Sequence, residues 1–205
     1  MKIQAIIAHP RSDSFCHSIF NRAIATIQKA GHETTIHDLY AEEFDPVLKA
    51  EEAYTVGDSI EQALSKANDP ILSLHRHEIK LAEGLLIAHP NWWGKPPAIL
   101  AGWLDRVLVP GVAYRLEAAE GEPEGLLSMH TALILNTSDT PPDRENSVLG
   151  DPLKLIWENC VLPYCGVKKV ERRMFGAVAG SEHQQREGWL DEVETLSKSC
   201  FPAAH

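Results

Sequence analysis

His89-Pro90-Asn91-Trp92-Trp93-Gly94-Lys95-Pro96-Pro97-Ala98-Ile99-Leu100-Ala101-Gly102-Trp103-Leu104-Asp105-Arg106-Val107 is the stretch from which the fold can be read. Just ahead of it, Leu85-Leu86-Ile87-Ala88 is a continuous apolar run, short enough for a strand and apolar enough to be buried on both faces of a parallel sheet. Behind it, prolines stand where a helix can begin, and Ile99, Leu100, Trp103, Leu104 and Val107 recur at helical spacing. A buried strand that runs through a turn into a helix is the unit of an α/β sheet. Such sheets bind ligands in the crevice outside the carboxyl ends of their strands. Two adjacent indoles and a glycine in that turn either seal the edge of the sheet or form a platform for something flat and apolar.

Outward from this unit the same alternation continues. Ile3 to Ala8 reads as a first strand, and Ile19, Ala23, Ile24 and Ile27 as the apolar face of a helix that Gly31 stops. Glu33 to His37 is a weaker second strand, followed by turn chemistry at Asp45-Pro46 and one or two polar helices between Ser59 and Leu81. After the strand at Leu85 to His89 and the helix at Pro97 to Val107 comes an acidic loop, Glu117 to Gly125. Thr131 to Asn136 is a fourth strand, Leu153 to Val161 a helix and Lys168 to Phe175 a fifth strand. An amphipathic helix, Glu182 to Ser199, carries Trp189, Val193 and Leu196. With no repeat, low-complexity tract or linker, residues 1–205 are expected to form a single α/β domain with a doubly wound parallel sheet.

Composition narrows the function classes. The chain of 205 residues is 44% hydrophobic and 23% charged, which suits a globular protein with a substantial core. A formal charge of −10 argues against nucleic acid or an anionic membrane surface as partner. No run approaches the roughly 20 apolar residues that span a bilayer, and Met1-Lys2-Ile3-Gln4 enters a strand too early for a secretory signal, so a cytoplasmic location is expected. Cys16, Cys160, Cys165 and Cys200 lack metal-ligand spacing and read as thiols, and no metal is expected.

The turn after the first strand, Ala8-His9-Pro10-Arg11-Ser12-Asp13-Ser14-Phe15, enters a helix whose first N–H groups and positive dipole end suit an anion. Ser12 and Ser14 add hydroxyls, Arg11 a charge and His9 a ring donor. Ser14 or Asp13 equally serves as an ordinary helix cap. Neither a dinucleotide glycine fingerprint nor a Walker loop is present.

The signature Pro-Ala-Ile-Leu-x-Gly-Trp-Leu-Asp-Arg-Val, the tryptophans before it and Gly111-Val112-Ala113-Tyr114 after it resemble the flavodoxin-like NAD(P)H:quinone oxidoreductases, a family that includes ancillary subunits of potassium-efflux systems. The turn at Ala8 to Phe15 resembles that family's phosphate loop, and the resemblance extends over the whole chain. It implies a five-stranded sheet of order 2-1-3-4-5 with FMN, or alternatively FAD, at the switch point between the first and third strands. It also implies NAD(P)H as co-substrate and two-electron ping-pong reduction of quinones or similar flat acceptors. A homodimer with the active site at the subunit interface is implied too, or else an ancillary role on a membrane transporter.

Carried over residue by residue, the phosphate would be held by His9, Ser14, Phe15, Cys16 and His17, mostly through backbone amides, and the ring by Pro90, Asn91, Trp92, Trp93 and Gly94. A third contact falls at Asn136-Thr137-Ser138-Asp139, and Trp93 and Tyr114 would line the substrate slot. Two departures stand out. Ser138 and Asp139 occupy positions where many relatives have glycines, and Asp139 reads either as a turn residue, the favoured reading, or as a charge beside the ring. The Tyr and His that animal members carry in the stretch that follows are matched by Asp143 and Leu149, so their proton relay is missing. No histidine, His9, His89 and His130 included, receives a catalytic assignment.

Overall fold

The computed structural model describes residues 1–54, 59–65, 69–116 and 121–203. Its central sheet has five parallel strands: β1 (Lys2–Ile7), β2 (Glu33–Asp38), β3 (Gly84–Pro90), β4 (Thr131–Thr137) and β5 (Lys169–Phe175). They lie side by side in the order β2-β1-β3-β4-β5, the flavodoxin-like order expected above. Each strand agrees with its sequence reading to within a residue at either end.

Pleating sends alternate residues of β1 to opposite layers. Ile3, Ala5 and Ile7 join the core under α1 (Phe15–Lys29), where they meet Ile19, Ala23 and Ile27. Ile6 and Ala8 join the core on the opposite face, under α3 (Pro70–Leu81) and α4 (Ala98–Val107), with α2 (Ile60–Ser65) nearby in the chain. Burying an isoleucine of this kind contributes about 1.5–3 kcal/mol. The ends of α1 are written locally. Ser14 caps its start, and at its end the N–H of Gly31, at φ +87°, bonds Gln28 while His32 N–H returns to Ile27, the paired bonds of a Schellman stop.

Most of the α4 signature builds architecture. A Cβ on Gly102 would lie 2.1 Å from the carbonyl oxygen of Pro46, so only glycine lets the connection after β2 cross the helix there. Trp103, fully buried, donates from Nε1 to His75 Nδ1 at 2.8 Å. Arg106, also buried, grips Glu52 with both forks (2.8 and 2.7 Å) and donates a further hydrogen bond to the Asp45 carbonyl. Because an indole N–H can only donate, the proton of His75 sits on Nε2, which donates to Glu42 Oε2 at 3.0 Å. His37, Glu42 and His75 bring their ligand atoms within 4.8 Å of one another, and as bonded here the Nε2 of His75 is committed to Glu42. Within this cluster, burial alone would lower the pKa of His37, but its hydrogen bonds to Glu42 and Glu78 outweigh burial and raise it. Glu42 shows the complementary balance: burial opposes ionisation, yet its bonds to His37 and His75 bring it to about 2.

Three features go beyond the sequence reading. Tyr114–Arg115 pairs antiparallel with Glu124–Gly125, flanking the expected acidic loop, of which residues 117–120 lie outside the described residues. A helix unforeseen in the sequence, α5, follows β4, its first turn Pro142–Arg144 continuing as a π-helix, Glu145–Leu149. The helix expected at Leu153 to Val161 is longer: α6 runs through Pro152–Lys154, a π-helical Leu155–Val161 and Leu162–Tyr164. Its widening precedes Pro163, which has no N–H for an α-helical partner. The last helix, α7 (His183–Cys200), packs on α1 through Val193. Among the described residues no helix is long and apolar enough to cross a membrane.

Candidate active site

The carboxyl ends of β1, β3, β4 and β5 open into a cleft of about 500 Å³. Into it the fold brings His9, Ser14, Phe15, Cys16, Pro90, Asn91, Trp92, Thr137, Ser138 and Asp139 from the residues selected in the sequence. Arg11, the charge noted in the first turn, lies there too, and the fold adds Thr140 and, from the turn after β5, Val178 and Ala179. The last two escaped the sequence reading. The signal for them was Gly176 directly after the fifth strand: a Cβ there would sit 2.7 Å from the Thr140 carbonyl, so two ligand-side loops touch at that point.

One end of the cleft is the start of α1. Phe15 and Cys16 line the cleft from its first turn, where N–H groups have no carbonyl a turn behind them inside the helix. Ser14 is buried; its Oγ accepts the His17 backbone N–H at 3.3 Å and lies 3.1 Å from His17 Nδ1. His17 itself stands behind the cleft wall, its Nε2 3.3 Å from Asp38 Oδ2. His9 Nδ1 accepts the Arg11 N–H at 3.1 Å, and burial holds its pKa below the ordinary histidine value. The Cys16 thiol is buried and pushed up to about 12 by that burial, which a hydrogen bond with Thr137 only partly offsets; it enters the site through its backbone.

The other end is the Trp-rich turn. Trp92 and Lys95 exchange both backbone hydrogen bonds at 3.3 Å, with Trp93 (φ +61°) and Gly94 (φ +72°) between them. Positive φ at both central residues is the mark of a type I′ turn. The turn consumes its own amides: Asn91 N–H bonds Thr137, Trp92 N–H bonds Lys95, and Gly94 N–H bonds the Asn91 side chain. It also splits the two indoles. Trp92, 38% exposed, lines the cleft with its ring 6.2 Å from that of His9. Trp93, 97% exposed, projects outward and with Gly94 borders an adjoining hollow of about 430 Å³ against Arg144, Glu145 and Leu149. Glu145, also missed in the sequence, accepts from Asn91 Nδ2 at 2.9 Å and so ties α5 to the turn.

Besides His17, Trp93 and Gly94, two further selected residues lie outside the cleft. Asn136 is buried in the floor beneath the cleft. Tyr114 stacks edge-on against Tyr164 (4.8 Å) beside a separate hollow of about 470 Å³. Asp139 braces a loop at the cleft: its Oδ1 accepts the Ala179 N–H at 2.9 Å, joining the turns after β4 and β5. Positive φ at non-glycine residues among those described occurs at Glu43, Trp93, Asp151 and Ala177, so neither Ser138 nor Asp139 needs the freedom of the glycines they replace.

The floor is a polar network around His89, which is fully buried. Trp157 Nε1–H donates to its Nε2 at 3.0 Å and Asn136 Nδ2 does so at 2.9 Å, which leaves the proton on Nδ1 to meet the Pro90 carbonyl at 2.9 Å. Asn136 Oδ1 in turn accepts from Arg172 (2.7 Å), and Arg172 is paired with Asp151 (2.8 Å). Burial, with the Arg172 charge acting in the same sense, depresses the His89 pKa to about 4, so the ring is neutral.

The chain matches the family described as having a flavodoxin-like fold over residues 1–196, and it belongs to that family. A curated relative in Haemophilus influenzae, described as an uncharacterized NAD(P)H oxidoreductase, is 32% identical over 189 residues, 91% of this chain and 89% of that one. The human ribosyldihydronicotinamide dehydrogenase (quinone) is 26% identical over 217 residues, 96% of this chain and 92% of that one. Among solved structures, a protein of Streptococcus mutans UA159 aligns with TM-score 0.80 at 27% identity, covering 97% of this chain and 100% of its own. An FMN-dependent NADH-azoreductase of Bacillus anthracis, solved with FMN, shares the fold with TM-score 0.76 at 14% identity over 98% of this chain and 100% of that one.

Proposed function

We propose that this chain is a cytoplasmic, FMN-dependent NAD(P)H oxidoreductase that acts as a homodimer and reduces quinones or similarly flat acceptors by two electrons in a ping-pong cycle. Its relatives support the oxidoreductase class, being named NAD(P)H oxidoreductase and quinone-reducing dehydrogenase. The observation that carries the finer reading is a cleft that has an anion-ready helix start at Ser14 and an indole, Trp92, at its far side. Its volume of about 500 Å³ is that of a small-molecule site.

The donor set fits a phosphorylated flavin. Ser14 Oγ and the first-turn N–H groups of Phe15 and Cys16 would hold the phosphate, while Trp92 and the Thr137-to-Thr140 turn would flank the ring. Bound FMN would supply a hydride acceptor and donor at N5. The chain's part is to set distance and stacking and to keep water off the ring, the job of Trp92 in the cleft, with Trp93 of the same turn bordering the adjoining hollow. Tyr114 lines a separate hollow of its own chain, so its expected place in the acceptor slot would have to be in the cleft of a partner copy in the proposed dimer.

The test is the absorbance spectrum of the purified protein, chromatography of the released cofactor, and NADH- and NADPH-dependent reduction of a simple quinone. Flavin bands, FMN on the column and quinone-dependent oxidation are expected. A colourless protein that takes up no added FMN would sink the reading, and FAD on the column would correct the cofactor.

A further inference from the structure

We propose that His17 is a positioning residue that takes up a proton when the cofactor's phosphate arrives, and that this proton turns the Ser14 hydroxyl toward the phosphate. The inference rests on the reading of the cleft as the site of a phosphorylated flavin.

The argument follows from which atoms can donate. Asp38 Oδ2 only accepts, so the Nε2 of His17, 3.3 Å away, carries a hydrogen. In the neutral ring Nδ1 then holds a lone pair, and Ser14 Oγ at 3.1 Å is the group that donates to it. Oγ also receives the His17 backbone N–H at 3.3 Å. The one hydroxyl hydrogen of Ser14 thus points away from the cleft, and an incoming phosphate meets an oxygen with no hydrogen to offer. A proton on Nδ1 reverses the bond. Nδ1–H donates to Oγ, the Ser14 hydrogen becomes available to the anion, and a positive charge stands directly behind the hydroxyl. One proton moves from solvent to Nδ1, and no other bond to hydrogen changes.

The surroundings support the exchange. Asp38 cannot swing away, because its Oδ1 accepts the backbone N–H groups of Tyr40 (3.1 Å) and Ala41 (3.2 Å). From the loop after β1, His9 faces His17 edge-on at 6.2 Å, with a pKa that burial lowers, so it adds no fixed charge at neutral pH. Arg11 and Asp13, both exposed, lie 3.6 Å from each other and largely cancel. Asp38 is therefore the charge that decides the ring's response. The device discriminates as well: riboflavin, lacking the phosphate, draws no proton and gains nothing from the turned hydroxyl.

Binding coupled to one proton changes affinity by at most about tenfold per pH unit. The experiment titrates the full chain, freed of flavin, with FMN and with riboflavin from about pH 6.5 to 8.5, following flavin fluorescence. Calorimetry in two buffers of different ionisation enthalpy counts the protons. The expected result is that FMN affinity of the wild type falls with pH by several-fold to tenfold more than that of His17→Asn, with proton uptake seen only for wild type and FMN. Riboflavin affinity should stay level. Asp38→Asn, a second variant that spares the helix, should also flatten the FMN profile. The phosphate's own second ionisation, near about pH 6, and the His9 ring act alike in wild type and variants and drop out of the difference. FMN profiles that coincide in wild type and both variants, without proton uptake, would overturn the inference while leaving the cleft reading intact. No FMN binding by the wild type, or equal affinity for FMN and riboflavin, would overturn the cleft reading and the inference with it.

Discussion

Each end of the cleft rests on a buried histidine, and the two handle protons in opposite ways. His17, behind the anion end, has a carboxylate on Nε2 and a hydroxyl on Nδ1, a set that accommodates either charge state. His89, beneath the Trp-rich end, has two N–H donors on Nε2 and a carbonyl on Nδ1, with the Arg172 charge nearby, a set that admits only the neutral ring. The difference lies in partners supplied by other strands and helices. One end of the site can meet a charged ligand with a responsive dipole, while the other keeps an uncharged floor under a flat ring.

The largest expected effect tests the anion end. Ser14→Leu should leave mostly colourless protein, with FMN affinity down at least about a hundredfold and the helical spectrum retained, because loss of a helix cap costs only about 1 kcal/mol. A fully yellow variant would place the phosphate elsewhere and dissolve the comparison.

Next comes the neutral floor. His89 has its pKa depressed to about 4 against an ordinary 6.5, so its contribution to stability is present above pH 6.5 and is lost as pH falls toward 4, a drop of about 3 kcal/mol. Glu42, at about 2, loses its contribution further down, below its unfolded value. His37 has the opposite sign: its raised pKa gives stability that is full below about 6.5 and lost as pH rises through the folded value. Urea midpoints measured from pH 8 to 4 should therefore fall on the acid side. Equal stability at pH 6.5 and 4.5 would show that His89 accepts a proton in the folded state.

A smaller effect sharpens the contrast in strain. Ser14 sits in an ordinary extended conformation, whereas Trp93 holds a bulky side chain at φ +61°, a region that disfavours L-residues by roughly 1–2 kcal/mol. Trp93→Gly should raise folding stability by about 1 kcal/mol and lower turnover, since lost ring contacts amount to about 0.5–1.5 kcal/mol. A variant that is stabilised with turnover unchanged would remove Trp93 from the acceptor slot. The smallest effect concerns Asp139, whose carboxylate is committed to Ala179. Asp139→Asn should leave the flavin midpoint potential unmoved, and a clear rise in redox titration would put the charge beside the ring instead.

Much of this was legible in the chain. The strands and α1 came from periodicity and capping, signals that act within a few residues. The signature around Gly102, Trp103 and Arg106 was specific, yet its purpose was hidden: those residues meet Pro46, His75 and Glu52, far away in sequence. The candidate site was half readable. The loops at strand ends followed from topology, but which indole faces the cleft depended on the type I′ turn, and that depended on Trp93 and Gly94 both adopting positive φ. Glu145 carried no local signal, because its role consists of a bond to Asn91, and for Ala179, which bonds Asp139, the one hint was Gly176 ahead of it.

By itself, then, the sequence determined what short-range rules can decide: strand and helix periods, the cap at Ser14, the stop at Gly31 and the loops in which a ligand would sit. Tertiary structure decided which hydrogen each side chain gives and where it points. His17 and His89 are the same residue in sequence, and only the atoms brought against their nitrogens by β2, β4 and α6 make one ring ready for a proton and the other closed to it.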